Sequence, residues 1–405
     1  METLIKKIVS LCKRRGFIFP GSEIYGGLAN TWDYGPIGVE LKNNIKKEWW
    51  KTFVNNREDI VGLDSSILLN PKVWVASGHI NNFYDFLIDC KTCKERFRVD
   101  KLIEEELIKR NIIDITIFGA SIEKMKQILS ENHIKCPKCE SEEFTEPRQF
   151  NLMFKTHQGV TENTSTVVYL RPETAQGIFL NFKNIINTTR KKLPMGIGQI
   201  GKSFRNEITP GNFTFRTREF EQIEMEYFCS PEDSGHFYKY WRQFCMDWLL
   251  SLGIKKDNLR FREHTKEELS HYSAETADIE YNFSFGWGEL WGIANRGCFD
   301  LTQHQQHSGE DMCYNDLENN KKYIPHVIEP ALGVDRLTLV ILLDAYTEEE
   351  VNGETRVVLK FNRKLSPIEV AVLPLSKKDE LAAKARNVFD IIKNKFVADF
   401  DVCWQ

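Results

Sequence analysis

GIGQIGKSFRNEITPGNFTFRTREFEQIEMEYF, Gly196 to Phe228, opens with eight residues that fit the phosphate-loop pattern G-x-x-x-x-G-K-S, and its glycines also spell G-x-G-x-x-G. A phosphate loop needs a buried strand before it and a helix after it, because the N–H groups of a helix N-terminus hold the phosphates. Neither flank complies. Upstream TTRKKLP is basic and ends in Pro194, and downstream FRNEITPGNF puts Pro210 and Gly211 where the helix should run. The stretch reads instead as two strands joined by a long loop. In EFEQIEMEYF, Ile223, Met225 and Tyr227 point one way while Gln222, Glu224 and Glu226 point the other. A row of carboxylates then lines a sheet face that is not a core face. The loop carries Arg205, Glu207, Arg216 and Arg218, close to Phe204, Phe213, Phe215 and Phe220.

Working outward, 405 residues with 41% hydrophobic content are enough for two or three domains with a sizeable core. A net charge of -4 argues against a protein wrapped electrostatically around nucleic acid as its main business. The N-terminal METLIKKIVSLCKRRGF has apolar residues at helical spacing and too many charges for a secretory leader. The longest apolar run, LTLVILL from Leu337, is far short of the roughly 20 residues of a membrane span. These features predict a soluble, cytosolic protein, in which the N-x-S/T triplets at Asn163, Asn187 and Asn212 carry no glycan. Reduced cysteines follow, and their spacing is read for metal.

A helix is expected from about Gly38, with Leu41, Ile45, Trp49 and Phe53 forming a packing stripe, against either the core or a second subunit. From Cys90 to Cys139 the chain turns helix-rich and highly charged between two Cys-x-x-Cys pairs, as an inserted subdomain would. From Thr164 to about Phe361 strands dominate, with helical interruptions at 234–253 and 334–346. After Pro367 come a strand-like EVAVLPL, a helix-like KDELAAKARNVFDIIKNKF and a strand-like ADFDVCW. A lone β-α-β unit leaves sheet edges uncovered, so the last domain is expected to be cut short.

FRNE…TREFEQIEMEYF, RPETAQG (Arg171 to Gly177) and EPALGVDR (Glu329 to Arg336) together resemble the class II aminoacyl-tRNA synthetases, specifically the homodimeric glycyl-tRNA synthetases. GSEIYGGLANTWDYGPIGVELKNNI is similar to that family's first motif, FRNE to its second and GVDR to its third. DIEYNFSFGWGELWGIANRGCFDLTQHQ resembles another characteristic segment, so the likeness covers nearly the whole chain. It implies an α+β fold, an antiparallel sheet flanked by helices. The expected division is a catalytic core over 1–89 and 147–361, an inserted subdomain over 90–146, and over 366–405 the truncated start of an anticodon-binding domain. It also implies that glycine and ATP with Mg²⁺ give glycyl-adenylate and pyrophosphate, after which tRNA(Gly) takes the glycyl group. With its last domain incomplete, the chain is expected to form the adenylate but to charge tRNA poorly.

The resemblance assigns roles residue by residue. Arg205 is placed at the α-phosphate and the activated carboxylate, and Arg336 at the γ-phosphate, with Glu207 completing the catalytic set. Planar guanidinium forks suit phosphate oxygens. Arg336 falls in a first helical turn, where a cation opposes the helix dipole and so points to a ligand. ATP is expected to contact Asn206, Phe215, Arg216, Thr217, Arg218, Glu219 and Phe220 as well. Glu289, Leu290, Gly333, Val334 and Asp335 complete that surface, and Glu289 is the expected Mg²⁺ carboxylate. Glycine offers no side chain to read, so its ammonium must be gripped while room for a methyl group is denied. Glu173, Glu221, Glu224 and Glu329 are the candidate carboxylates, and Arg98 a further contact. Phe220, Gln222, Ile223, Pro330, Ala331, Leu332 and Gly333 would complete the glycine pocket. Clustered carboxylates repel one another when the site is empty, which raises their pKa values. The family pattern has serine where this chain has Ala331, so one pocket hydroxyl is absent.

Cys90 and Cys93 with Cys136 and Cys139 form two zinc-knuckle halves, expected to hold a structural Zn²⁺ or to stand as reduced thiols. His304 and His307, near Glu310 and Asp311, mimic a metal cluster but read as solvated loop residues. A different class of protein, a non-catalytic accessory subunit on the same scaffold, would be expected to lack the ATP arginines that are present here.

Overall fold

The computed structural model describes residues 4–112, 121–266, 268–270 and 273–402. Seven strands make the main sheet: β1 (Ile60–Gly62), β2 (Met195–Phe204), β3 (Glu219–Cys229), β4 (Leu259–Glu263), β5 (Glu275–Phe283), β6 (Gly286–Gly297) and β7 (His326–Gly333). Their spatial order is β4-β5-β6-β7-β3-β2-β1, antiparallel except that β1 runs parallel to β2. The phosphate-loop match therefore lies inside an extended strand. Its glycines serve close packing: a Cβ on Gly196 would stand 3.0 Å from the Met225 sulfur, and one on Gly201 only 2.2 Å from the Arg171 guanidinium.

Six helices flank the sheet: α1 (Leu4–Arg15), α2 (Pro36–Trp50), α3 (Ala175–Thr189), α4 (Ser234–Ser251), α5 (Phe299–Ser308) and α6 (Val334–Ala345). α2 starts with Pro36 in its first turn, where a missing N–H costs nothing. Its stripe Leu41, Ile45 and Trp49, with Phe53 just beyond, is buried against this chain's own core. Trp49 and Phe53 stack with centroids 5.0 Å apart. That core lies on the sheet face formed by Ile223, Met225 and Tyr227, and α4 and α6 pack into it. α6, carrying LTLVILL, is buried along almost its whole length, as a central core helix must be.

On the opposite face, α3 and α5 cover a second cluster containing Phe179, Phe182, Phe228 and Leu301. This corrects the expectation for the carboxylate face of β3. Phe228 continues that face into an apolar cluster, and Glu224 and Glu226 are only 2% and 0% exposed.

Beyond the main sheet, strands Tyr84–Asp89, Arg96–Arg98 and Arg148–Asn151 form a three-stranded sheet. Helices Val99–Lys109 and Ile122–Glu131 close over it around Ile88, Val99, Ile103, Leu107 and Met125, a cluster of their own. Near the C-terminus, Val370–Val372 pairs in parallel with Ala398–Phe400 across helix Asp379–Ile392. The strand expected over 398–404 is thus shorter, with Cys403 and Trp404 outside the described residues.

Candidate functional site

The β2–β3 loop, the last residues of β7 and the start of α6 enclose a cavity of about 270 Å³ on the carboxylate face of the sheet. Its open end is cationic. Arg205 donates from Nε to the Pro172 carbonyl at 3.0 Å, and its guanidinium lies 5.3 Å from the Phe220 ring and 5.4 Å from Phe83. Arg336 sits over Phe215 at 4.5 Å, donates to the Phe215 carbonyl, and pairs with Glu289 at 3.0 Å. Each arginine is oriented by a backbone carbonyl and an aromatic face, contacts that fix the fork while leaving N–H groups for an anion. Glu207, Arg216 and Thr217 line the same end.

Glu289 does not stand alone. The β5–β6 register sets Asp278 opposite Gly292, and a methyl group on Gly292 would lie 3.7 Å from the Asp278 carboxylate and 3.8 Å from that of Glu289. The two carboxylates therefore flank a glycine in the cavity wall. Arg336 holds Glu289 below the usual carboxylate range. Burial, followed by repulsion from Glu289, pushes Asp278 up to about 6, although His264 Nε2 approaches it at 2.8 Å.

The closed end is anionic, and Glu173, Glu224 and Glu329 line it over a floor that includes Ala294 and Ala331. Glu173 precedes α3, accepts from Gln176 at 2.9 Å and lies 3.4 Å from His79 Nε2. Burial alone would raise its pKa, but His79 and then Arg296 bring it well below the usual range. Glu224 accepts from Thr174 Oγ1 and from the Gln222 amide. Burial, with repulsion from Glu329 and Glu173, pushes Glu224 up to about 8. Behind them Arg296 donates to Glu329 at 2.6 Å and grips Asp300 through bonds of 2.8 and 2.9 Å. Burial raises Glu329 despite Arg296.

Several residues expected in the site stand elsewhere. Glu221 projects to the other face of β3, where Lys42 and Lys46 pair with it at 3.2 and 3.1 Å, because neighbouring strand residues point to opposite faces. Ile223 and Leu290 are buried in the main core for the same reason, with Val334 beside them at the start of α6. Asp335 touches the cavity, but its carboxylate is engaged by Tyr34, Lys42 and the Glu221 N–H at 2.6–2.8 Å. It joins the segment before α2 to α6 and β3. Arg98 is held by Asp85 and Asp100, and Glu219 by Lys202, both outside the lining. Asn206 donates its N–H to Leu152, Arg218 reaches the Glu207 carbonyl, and Pro330 is buried in β7, so these three support the wall without forming it. Phe220, Gln222, Leu332 and Gly333 do line it.

His304 is corrected from solvated loop to buried helix: it lies on α5 and its Nε2 meets Gln176 at 2.8 Å, while His307 is exposed. Thr174, Asp278, His264 and Gly292 went unread in the sequence. Asp300 and His304, spaced four apart, were the available helical signal.

In the small sheet, Cys90, Cys93, Cys136 and Cys139 bring their sulfurs within 4.8 Å of one another. The two halves are congruent. Cys90 N–H donates to Glu95 and Cys136 N–H to Ser141, and Lys94 and Glu140 both take positive φ, 62° and 60°. Cross-pair sulfur distances are 3.5 and 3.6 Å. A tetrahedral Zn²⁺ with bonds of about 2.3 Å puts its sulfurs about 3.8 Å apart, so the donor set fits zinc.

An antiparallel sheet bearing a cationic hairpin and an arginine at a helix start is the architecture of a class II aminoacyl-tRNA synthetase core. The family model for the tRNA synthetase class II core domain (G, H, P, S and T) matches residues 154–346. The chain is 62% identical over 401 residues to the glycine–tRNA ligase of Caldanaerobacter subterraneus subsp. tengcongensis, covering 99% of this chain and 86% of that one. It is 60% identical over 402 residues to the enzyme so named in Acetivibrio thermocellus, and 59% over 402 to that of Geobacillus thermodenitrificans, with the same coverages. The chain belongs to the glycine–tRNA ligase family.

Proposed function

We propose that the cavity joins glycine to ATP and passes the glycyl group to tRNA(Gly), and the observation that carries this is its polarity, with arginines at the open end and carboxylates at the closed end. A glycine carboxylate oxygen attacks the α-phosphorus and pyrophosphate leaves. A ribose hydroxyl of the tRNA 3′-terminal adenosine then attacks the glycyl carbonyl, and AMP leaves. Arg205 neutralises charge at the α-phosphate and Arg336 at the γ-phosphate, from positions fixed in advance. The Phe220 ring offers an apolar face to adenine, and Glu207, Arg216 and Thr217 frame it. Glu289 and Asp278 would hold Mg²⁺, a hard cation that neutralises phosphate oxygens when bound.

The glycine ammonium is met by Glu173, Glu224 and Glu329. Gln222, Ala331, Leu332 and Gly333 shape the rest of the pocket. Glu221 and Ile223 are not carried into this set, since they serve the other face of β3. Arg205, Arg216 and Arg336 lie in the cavity wall, which favours catalysis over a purely binding role. The Cys₄ site holds a structural Zn²⁺ that pins the base of the inserted subdomain and takes no part in the chemistry.

The same reading carries the division into catalytic core (1–89 and 147–361), insertion (90–146) and the beginning of an anticodon-binding unit (366–405), and a homodimer in the cytoplasm. No helix among the described residues is long and apolar enough to cross a membrane. Glycine-dependent ATP–pyrophosphate exchange tests the first step. Exchange with glycine supports the reading, and its absence in folded protein supplied with Mg²⁺ and ATP refutes it.

A further inference from the structure

Glu226 has no part in the chemistry so far described and does not line the cavity, yet it is fully buried. Neither of its carboxyl oxygens accepts a hydrogen bond from any N–H or O–H donor among the described residues. An ionised carboxylate in that position would lose its hydration with no compensation. What it meets is another carboxyl group. The β3–β7 register pairs Glu224 with Ala331 and Tyr227 with Ile328, which sets Glu226 directly across from Glu329 on the same face. Directly opposed residues have Cβ atoms about 5 Å apart, and the two carboxyl groups are within hydrogen-bond reach.

Two buried carboxyl groups in contact cannot both be ionised. One must donate to the other. Arg296 lies 2.6 Å from Glu329, and Glu329 also faces the cavity, so the negative charge belongs there. The other charged groups that bear on the pair are Glu224 on the same strand, Glu173 just before α3, and Asp300 on α5. Arg296 is the cation set against these carboxylates, and a further anion at Glu226 would be repelled by Glu329 and Glu224.

We propose that Glu226 is held as a neutral carboxylic acid that donates its proton to Glu329, acting as a positioning residue that aims the ionised Glu329 at the ammonium of the bound amino acid. This rests on the cavity being the glycine-activating site. Burial and the neighbouring Glu329 agree with it, since both push Glu226 well above the carboxylate range. The proton sits one residue behind the ligand surface, where neither water nor substrate reaches it.

The test uses the whole chain and two variants, Glu226→Gln and Glu226→Leu. The glutamine amide can donate to Glu329 as the acid does, whereas leucine fills the space without a donor. In glycine-dependent exchange, Glu226→Gln should keep KM for glycine within roughly threefold of wild type, and Glu226→Leu should raise it about tenfold or more with KM for ATP little changed. If glutamine is as damaging as leucine, Glu226 acts as an anion; if neither moves KM for glycine, it positions nothing; either result overturns the proposal. The wild-type minus Glu226→Gln infrared difference spectrum should also show the carbonyl band of a protonated carboxylic acid that shifts in D₂O. Its absence overturns the proposal even if the leucine variant fails to fold. A wild-type protein inactive in exchange but showing that band would refute the glycine-activation reading and leave the proton on Glu226 in place.

Discussion

At the end of the cavity proposed for the nucleotide the charges are arginines on a loop and a helix start, partly open to solvent and held by backbone carbonyls and aromatic faces. At the end proposed for the amino acid they are buried carboxylates on two strands and just before α3, crowded until burial and mutual repulsion push some far from their ordinary pKa. A permanent cation such as guanidinium can be oriented in advance without changing state. A buried carboxylate can refuse its charge until a cation arrives. The nucleotide end is thus predicted to work by preset geometry, and the amino-acid end by coupling substrate binding to proton loss.

The largest effect should come from the preset end. Arg205→Ala is expected to lower kcat/KM for exchange by roughly a hundred- to a thousandfold, by loss of charge stabilisation at the α-phosphate. The folded protein should survive, since among the described residues the Arg205 side chain makes one carbonyl bond and two ring contacts. A loss below about threefold would contradict the α-phosphate assignment.

At the other end, Glu224→Gln should raise KM for glycine by about tenfold or more while leaving KM for ATP within about twofold. Equal damage to both would mean that the two ends are not separate. The coupling has a sign that can be measured. Burial, with repulsion from Glu329 and Glu173, pushes Glu224 up to about 8 from an ordinary 4.5, so the folded state binds more protons than the unfolded one between those values. Its contribution to stability therefore falls as pH rises through that window. Bound glycine ammonium favours the ionised form, so the thermal stabilisation by glycine should be larger near pH 8.5 than near pH 6.5. Calorimetry should also find a proton released on binding at about pH 7, and pH-independent stabilisation would rule out the coupling.

The hairpin was legible because strand alternation in 219–228 and the helix-breaking Pro210 and Gly211 each have a local cause. The cysteine pairs were legible because their spacing sets the knuckle. Glu221 was misplaced even though it precedes Gln222 by one residue, and the same alternation puts it on the other face, where Lys42 and Lys46 stand. Asp278 could not be found, because its meeting with Glu289 depends on a register shift in the β5–β6 pairing at Ile279/Glu280. The opposition of Glu226 and Glu329 likewise exists only once strands a hundred residues apart are paired. Single strands announce which face a residue takes, and the pairing of distant strands decides what it meets there.

Two smaller effects sharpen the contrast between chemistry and scaffold. Cys136→Ser or a strong chelator should remove about one zinc per chain and lower the thermal midpoint, while exchange falls by less than about threefold. Absence of zinc in the intact protein would return the four cysteines to plain thiols. Ala331→Ser, which adds a hydroxyl beside the carboxylates, should sharpen rejection of alanine by only about two- to fivefold. A much larger gain would make that hydroxyl the principal discriminator.

The central claim, one cavity with a preset cationic end for ATP and a carboxylate end for glycine, is tested most directly by amino-acid-dependent ATP–pyrophosphate exchange with glycine, alanine and serine in parallel, Mg²⁺ present. Exchange should depend on glycine and be strongly reduced with the other two. Folded protein that exchanges with none of them, or equally with alanine, would contradict it.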